Sequence, residues 1–238
     1  MKFKKFLNKL NESGKPLLAV LVDPDKYNPE LIKLALKYNV SCFLVGGSKL
    51  QEGDITKTIR AIKKISSVPV VIFPGDETQL SKTADGLLLL SLLSGRNPDY
   101  LIEKHIAAAP LIKKMKLPHL STAYLLINGG KVSSIQRVTK TKPLNPDNQN
   151  YIINTAIAAE QLGFKALYLE AGSGAKTSIP QGLVKMIKKQ ITIPVIVGGG
   201  IDSKQKVLEA MATGANMIVV GNALEKNVLL LNEIGSCF

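Results

Sequence analysis

Aromatic residues, cysteines and histidines are scarce in this sequence, and each shortage excludes a class of protein. Aromatic side chains make up 5% of the 238 residues and tryptophan is absent, so surfaces that stack nucleic-acid bases are few. Two cysteines, Cys42 and Cys237, cannot form a disulfide framework or a zinc site and are predicted to be free thiols. His105 falls inside a predicted helix and His119 at the start of a predicted strand, so neither is placed for acid–base chemistry.

Long hydrophobic runs are also missing. The longest, GLLLLSLL at residues 86–93, is far too short to span a bilayer. The amino-terminal stretch MKFKKFLNKLNESGK is basic and amphipathic, but it has neither an uninterrupted apolar region nor a small-residue cleavage site. We therefore expect no signal peptide and a cytoplasmic protein.

Basic residues, in contrast, are abundant. The chain has 31 Lys and Arg against 18 Asp and Glu, a net charge of +13, and 45% hydrophobic residues to fill a core. Such a charge favours anionic partners, including phosphorylated substrates, a membrane surface or nucleic acid. The lysines are spread through the predicted helices instead of forming a basic arm. We expect phosphorylated small molecules, no nucleic acid, and at most peripheral contact with a membrane.

Eight short apolar runs divide the chain, each typical of a strand covered on both faces. They span residues 17–22, 42–45, 68–73, 86–92, 123–127, 166–169, 193–197 and 217–220. Helical patterns fill most intervals, at residues 29–38, 54–65, 98–115, 150–162, 181–191 and 203–213. This alternation, without a break in composition, predicts one domain, residues 1–238, folded as a TIM (β/α)₈ barrel.

One interval departs from the pattern. Residues 75–84, GDETQLSKTA, are too polar and too few to predict a helix. The alternative fold is a doubly wound open sheet, which the lack of a G-x-G-x-x-G motif after the first strand disfavours.

Glycine clusters follow the later strands, where active sites of such barrels lie. Glu170 is followed by AGSG, the seventh strand by GGG at residues 198–200, and the eighth by Gly221-Asn222. Glycines let backbone N–H groups approach an anion, and the loops after strands seven and eight form the recurrent phosphate site of this fold. The pattern predicts a phosphate site, although a single glycine would mark no more than a tight turn.

Carboxylates follow the first and sixth strands. Asp23 precedes Pro24, which favours an extended backbone that can direct the carboxylate into the barrel mouth. With the Ser48 hydroxyl it would suit Mg²⁺, which takes one or two protein oxygens and completes its shell with water and phosphate. A turn or a helix cap is the alternative interpretation of Asp23 and the favoured one of Asp25. Glu170 is the natural general base, because burial beside a phosphate site would raise its pKa.

Six segments in chain order carry a family resemblance: LVDPDK, FLVGGS, FPG, YLEAGSGA, VIVGGGI and VVGNALE. Over nearly the whole chain the sequence resembles the geranylgeranylglyceryl phosphate synthase family, which includes archaeal enzymes and bacterial heptaprenyl relatives. The resemblance implies a modified barrel whose third helix is replaced by an extended segment. It also implies Mg²⁺-dependent transfer of a geranylgeranyl group from its diphosphate to the C3 hydroxyl of sn-glycerol 1-phosphate, by a homo-oligomer.

The resemblance also implies residue roles. Asp23 and Ser48 match the metal positions, and Glu170 matches the general base. The glycerol-phosphate site comprises Tyr168, Leu169, Glu170, Ala171, Gly172, Ser173, Gly174, Gly199, Gly200, Gly221 and Asn222.

The length of the prenyl donor is less well defined. Heptaprenyl enzymes have a YLEYSG-like loop and a lysine two residues before the metal aspartate, whereas this chain has YLEAGSG and Leu21. Both differences favour a geranylgeranyl donor, with a longer chain as the alternative. We expect the prenyl groove at the fourth and fifth strand ends and loop 94–98, with Tyr124, at the start of the predicted fifth strand, touching the tail. A sugar-phosphate isomerase or aldolase barrel stays open as an alternative function.

Overall fold

A computed structural model describes residues 2–238, and its centre is a closed barrel of eight parallel strands. Each strand pairs with the next and β1 pairs with β8, so the predicted (β/α)₈ barrel is confirmed and the open sheet is wrong. The strands are β1 Leu17–Val22, β2 Val40–Val45, β3 Val70–Ile72, β4 Gly86–Leu92, β5 His119–Leu126, β6 Ala166–Glu170, β7 Val195–Gly198 and β8 Met217–Val220.

The helices surround the barrel and include all six that the sequence pattern predicts. They are α1 Lys2–Glu12, α2 Pro29–Ala35, α3 Ile55–Ile65, α4 Glu103–Met115, α5 Ser134–Thr139, α6 Gln149–Gln161, α7 Gln181–Gln190, α8 Lys204–Met211, α9 Asn222–Lys226 and α10 Leu230–Gly235. The predicted helix 98–115 is divided, because Pro98–Tyr100 forms a separate 3₁₀ turn before α4. Helices α1, α5, α9 and α10 were not predicted. No helix within residues 2–238 is long and apolar enough to cross a membrane.

Side chains alternate between two core layers along each strand. In β1, Leu18 and Val20 pack outward against the helices, while Leu17 and Ala19 point into the barrel. Helix α1 closes the barrel at the amino-terminal ends of the strands, because its buried Phe3, Phe6 and Leu10 belong to the inner layer. The carboxyl ends of the strands are therefore the accessible end of the barrel.

The outer layer of helices is incomplete after β3. Only a one-turn 3₁₀ helix, Glu77–Gln79, lies between β3 and β4, as the polar sequence of this interval predicts. In its place, an apolar groove runs between this segment and α4. The outward-facing Leu87 and Leu89 of β4 line the groove.

Candidate active site

A cavity of about 650 Å³ opens at the carboxyl ends of the strands. It collects residues that are distant in sequence, since parallel strands in a barrel end at the same rim. Most of the predicted site residues line it: Asp23, Ser48, Tyr124, Tyr168, Glu170, Ser173, Gly174, Gly199, Gly200, Gly221 and Asn222.

Three of the predicted residues do not line the cavity. Leu169 points outward into the helix-facing core, because it alternates with the inward-facing Tyr168 and Glu170. Ala171 is buried, and its N–H donates to the Gly198 carbonyl 3.1 Å away. Gly172 supports the site through its backbone. These positions shape the loop after β6 without facing the cavity.

Glu170 ends β6 and is 7% exposed. Its Oε1 accepts a hydrogen bond of 2.7 Å from the Gly172 N–H, which fixes the carboxyl group. Burial raises the pKa of Glu170 to about 7, although the Gly172 N–H acts in the opposite direction. A carboxylate with this pKa is half protonated near neutral pH and can both take up and release a proton there.

The glycines after β7 allow the backbone to pass directly beside this carboxylate. Gly199 has φ +80°, and a Cβ at this position would overlap Glu170 Oε1. Gly200 has φ +69°, and a Cβ there would lie 2.7 Å from the Thr177 carbonyl oxygen. Both positions therefore require glycine, for backbone conformation and for space.

The loops after β6 and β8 also meet at the cavity. A Cβ at Gly174, whose φ is +68°, would lie 3.4 Å from Asn222 Oδ1. Asn222 begins α9 directly after Gly221. The structure thus brings the predicted phosphate glycines of three loops together around one space.

Asp23 follows β1 and faces the same cavity. Its backbone is extended, with φ −78° and ψ 121°, as the following proline predicts. Oδ1 accepts a bond of 3.0 Å from the Asp25 N–H, and Lys26 Nζ lies 3.8 Å from Oδ2. Burial raises the pKa of Asp23. Asp23 is consequently both the cap of the 3₁₀ turn Pro24–Lys26 and a carboxylate in the cavity wall.

Asp25 has a different role from the cap that its position suggested. Its carboxylate accepts hydrogen bonds from the backbone N–H groups of Gln51, Glu52 and Gly53, at 2.9, 3.0 and 2.5 Å. The bond from Gln51 is the main cause that lowers the pKa of Asp25. Asp25 therefore anchors the loop after β2 and does not face the cavity.

The donor set fits a magnesium ion. A Cβ at Gly47 would lie 3.5 Å from Asp23 Oδ1, so the loop that carries Ser48 passes close to this carboxylate. Within residues 2–238 no group of three His, Cys, Asp or Glu residues could hold a metal by itself. One carboxylate and one hydroxyl suit Mg²⁺, because it keeps several waters and is shared with substrate phosphates.

Three aromatic rings separate the cavity from the groove. Tyr124 stacks on Tyr168 at a centroid distance of 5.2 Å, and Phe73 lies 5.2 Å from Tyr168. Tyr124 and Phe73 line both spaces. Tyr124 was predicted at the start of the fifth strand; it lies near the end of β5, since the strand begins at His119. Because Tyr124 lies near the carboxyl end of the strand, its side chain is at the rim.

The groove does not follow the predicted course in full. Residues of β4 and Tyr124 of β5 contribute, but the predicted loop 94–98 does not line it. Its other walls are the 73–80 segment, α4 and α5. The segment and α4 face each other because no α-helix lies between β3 and β4. Lys104 of α4 and Glu77 form a 2.9 Å ion pair between these walls. The sequence located the missing helix in this interval, but it could not show that the segment and α4 would enclose a groove.

Four basic side chains in the cavity wall were not predicted individually: Lys26, Lys49, Arg137 and Lys226. Lys26 and Lys49 directly follow the DPD and GGS motifs, so their strand-end position was a usable signal. Arg137 lies on α5, a helix with no strand-end motif before it. The wall also carries the carboxylates of Asp23, Glu170, Asp202 and Glu225, and Lys26 Nζ lies 2.8 Å from Glu225 Oε2. Lys49, Arg137 and Lys226 are therefore the cations available for an anionic ligand.

The histidines and cysteines lie where the sequence suggested. Cys42 and Cys237 are both free thiols, and Cys42 is buried. His119 opens β5 at the end away from the cavity. His105 is half-buried on α4, and its Nε2 lies 3.1 Å from Ser91 Oγ, which ties the helix to β4.

Fold and site together define a (β/α)₈ barrel with an anion-binding mouth, a buried carboxylate and an adjoining apolar groove. The chain belongs to the PcrB family, whose model matches residues 13–236. It is 47% identical over 220 residues to the geranylgeranylglyceryl phosphate synthase of Flavobacterium johnsoniae, covering 91% of this chain and 90% of that one. It is 36% identical to the Pyrococcus abyssi protein of that name, over 94% and 90% of the two chains.

A solved structure agrees with these relatives. The (S)-3-O-geranylgeranylglyceryl phosphate synthase of Thermoplasma acidophilum, in complex with sn-glycerol-1-phosphate, superposes with a TM-score of 0.89. Its sequence is 29% identical, and the match covers 98% of this chain and 96% of that chain. The predicted family is confirmed.

Proposed function

We propose that this protein is a geranylgeranylglyceryl phosphate synthase, which joins a geranylgeranyl group to the C3 hydroxyl of sn-glycerol 1-phosphate and releases diphosphate. The observation that carries the proposal is the apolar groove opening beside the polar cavity at the strand ends, with Phe73 and Tyr124 at their junction. A sugar-phosphate isomerase or aldolase needs a carboxylate and a phosphate site but has no use for such a groove. Close relatives with this name support the same activity.

The acceptor would bind with its phosphate among the glycine loops. Gly174, Gly199, Gly200, Gly221 and Asn222 offer close backbone approach there. This placement would leave the hydroxyl end of the glycerol near Glu170, so the loop that binds the acceptor would also orient it. Orientation of this kind converts a bimolecular encounter into an effectively unimolecular step.

Glu170 would act as the general base. In the reaction an oxygen–carbon bond forms between the glycerol C3 oxygen and the prenyl C1, and the bond from C1 to the diphosphate oxygen breaks. The hydroxyl proton passes to Glu170, whose Oε1 is already engaged by the Gly172 N–H. Because the allylic C1 becomes electrophilic as the diphosphate leaves, one base is enough and no covalent nucleophile is needed.

Asp23 and Ser48 would hold Mg²⁺ together with the donor diphosphate. When bound, the ion would neutralise the charge that develops on the leaving diphosphate. Lys49 lies in the same wall and would add positive charge, whereas the charge of Lys26 is balanced by Glu225 at 2.8 Å.

The cellular setting remains a set of predictions. We expect a cytoplasmic homo-oligomer that contacts membranes peripherally, since its donor and product carry long apolar chains. Ile102 and Ile106, 56% and 61% exposed at the start of α4, are candidates for the subunit interface or for the membrane contact. Light scattering and vesicle sedimentation test the two separately.

The activity test uses radiolabelled sn-glycerol 1-phosphate, Mg²⁺ and prenyl diphosphates of several lengths, followed by butanol extraction. We expect label in the organic phase with geranylgeranyl diphosphate. If no donor of any length gives label in the organic phase, the proposed function is wrong. A preference for the heptaprenyl donor would move the chain to the long-chain alternative.

A further inference from the structure

Gln79 is a fully buried polar side chain whose use the predicted site does not explain. It ends the 3₁₀ turn in the segment that replaces the third helix and is 1% exposed. Its Nε2 donates to the Gly47 carbonyl at 2.8 Å, and its Oε1 accepts from the Gly47 N–H at 3.2 Å. The side-chain amide thus pairs with both backbone polar groups of one residue.

That residue lies in the loop that faces the predicted metal carboxylate. A Cβ at Gly47 would lie 3.5 Å from Asp23 Oδ1 and 3.7 Å from Oδ2. Glycine has no side chain with which to pack, so the position of this backbone depends on what its peptide groups bind. Gln79 binds both the N–H and the carbonyl of Gly47, which keeps the loop close to Asp23.

Packing strengthens the same connection. A Cβ at Gly75 would overlap the carbonyl oxygens of Gly47 and Ser48, so the segment and the loop are in direct backbone contact. The segment also supplies Phe73, Glu77 and Leu80 to the wall of the apolar groove. One short stretch of chain therefore touches the groove on one side and the Gly46–Ser48 loop on the other.

We propose that Gln79 is a positioning residue for the prenyl diphosphate donor, which it serves by holding the Gly46–Ser48 loop in register with Asp23 and the groove. This inference rests on the proposed function. An apolar residue of the same size would fill the buried space but would leave the Gly47 N–H and carbonyl unpaired, which is unfavourable for buried polar groups. The amide is accordingly needed for the loop and not for packing of the core.

Gln79→Met is the first test, because it preserves volume and removes both hydrogen bonds. Ser81→Ala is its control: Ser81 directly follows the segment and is 3% exposed, but it bonds to Thr56 and Thr83 and not to the loop. Titration calorimetry measures donor affinity with Mg²⁺ and the unreactive analogue geranylgeranyl thiolodiphosphate. The same method measures acceptor affinity with sn-glycerol 1-phosphate. We expect Gln79→Met to weaken the donor about tenfold, the scale of two net hydrogen bonds, and to leave the acceptor within about twofold.

Hydrogen–deuterium exchange gives a readout that needs no ligand. The peptide covering residues 44–50 should exchange faster in Gln79→Met than in the wild type or in Ser81→Ala. Unchanged exchange there, or equal losses of donor and acceptor affinity, would overturn the positioning role.

Gln79→Glu provides a pH-dependent test and a second variant should Gln79→Met fold poorly. The ionised carboxylate cannot donate to the Gly47 carbonyl, whereas the protonated acid can reproduce both bonds. Burial raises the pKa of such a carboxyl. The affinity of Gln79→Glu for the prenyl donor, relative to wild type, should therefore recover as the pH falls from 8 to 6. A deficit that does not change with pH would contradict the proposal. Failure of the wild type to bind any prenyl diphosphate would instead overturn the proposed function, and this inference with it.

Discussion

Replacing Glu170 by glutamine should inactivate the enzyme and stabilise its fold. The folded-state pKa of about 7 lies above the ordinary value of 4.5. The folded protein therefore binds this proton more tightly than the unfolded chain does. The stability that Glu170 contributes is complete below pH 4.5, falls as the pH rises toward 7, and stays low above it.

The size of the effect follows from the shift. At about 1.4 kcal/mol per pKa unit, the charged carboxylate destabilises the fold by up to about 3 kcal/mol above pH 7. Glutamine carries no charge, its carbonyl can still accept from the Gly172 N–H, and its NH₂ can donate to the buried Tyr168 hydroxyl. That hydroxyl has no other hydrogen-bond partner within the described chain, and its position beside Glu170 acts to lower the pKa of the carboxyl. At pH 8 the melting temperature of Glu170→Gln should rise by up to about 6–12 °C, and at pH 5 the gain should fall below about 1 kcal/mol.

Kinetics test the same carboxylate independently. Loss of a positioned base lowers kcat by about 10²–10⁴-fold, while sn-glycerol 1-phosphate affinity should change little, because the glycine loops are intact. In the wild type, kcat/KM should fall about tenfold per pH unit below 7. Melting temperatures from calorimetry at pH 5 and 8, together with steady-state rates, test both effects of the Glu170→Gln substitution. An inactive Glu170→Gln with no gain in melting temperature at pH 8 would refute the buried, high-pKa base.

Three further predictions concern the metal, the phosphate loop and the groove. Asp23→Asn should abolish Mg²⁺-dependent turnover with an unchanged melting temperature, whereas Asp25→Asn should lower the melting temperature by a few degrees; the opposite pattern would show that the wrong carboxylate was assigned. Gly199→Ala should weaken sn-glycerol 1-phosphate in calorimetry by about tenfold or more, since its positive φ costs about 1–2 kcal/mol in other residues; unchanged affinity would remove Gly199 from the site. Across farnesyl to heptaprenyl diphosphates, kcat/KM should peak at geranylgeranyl, and a steady rise to heptaprenyl would show an open-ended groove.

The barrel and most of its rim could be predicted from sequence because both depend on local patterns. Apolar runs at regular intervals defined the strands, and Asp23, Glu170 and the glycines stand directly at strand ends. The alternation of side chains along β6 explains why Leu169, which the motif included because it adjoins Glu170, points outward from the barrel.

The groove and the supporting contacts depend on packing between distant segments. Nothing in the letters near Gln79 indicates that its amide would pair with Gly47, 32 positions earlier in the chain. Likewise, Asp25 looked like a cap until the fold brought residues 51–53 to its carboxylate. Short helices such as α5 and α9 lack the length over which a helical period can be recognised.

The absence of an α-helix between β3 and β4 separates recognition of the prenyl chain from the chemical step, two properties that many enzymes combine in one site. Length recognition would fall to α4 and the 73–80 segment, on the outer surface of the barrel, while bond making would be confined to the rim around Glu170. Substitutions on the outer wall could then retune the lipid product over evolutionary time without disturbing the reacting groups. A bound prenyl chain would also complete the outer layer of the barrel, so that part of the fold would be built from substrate.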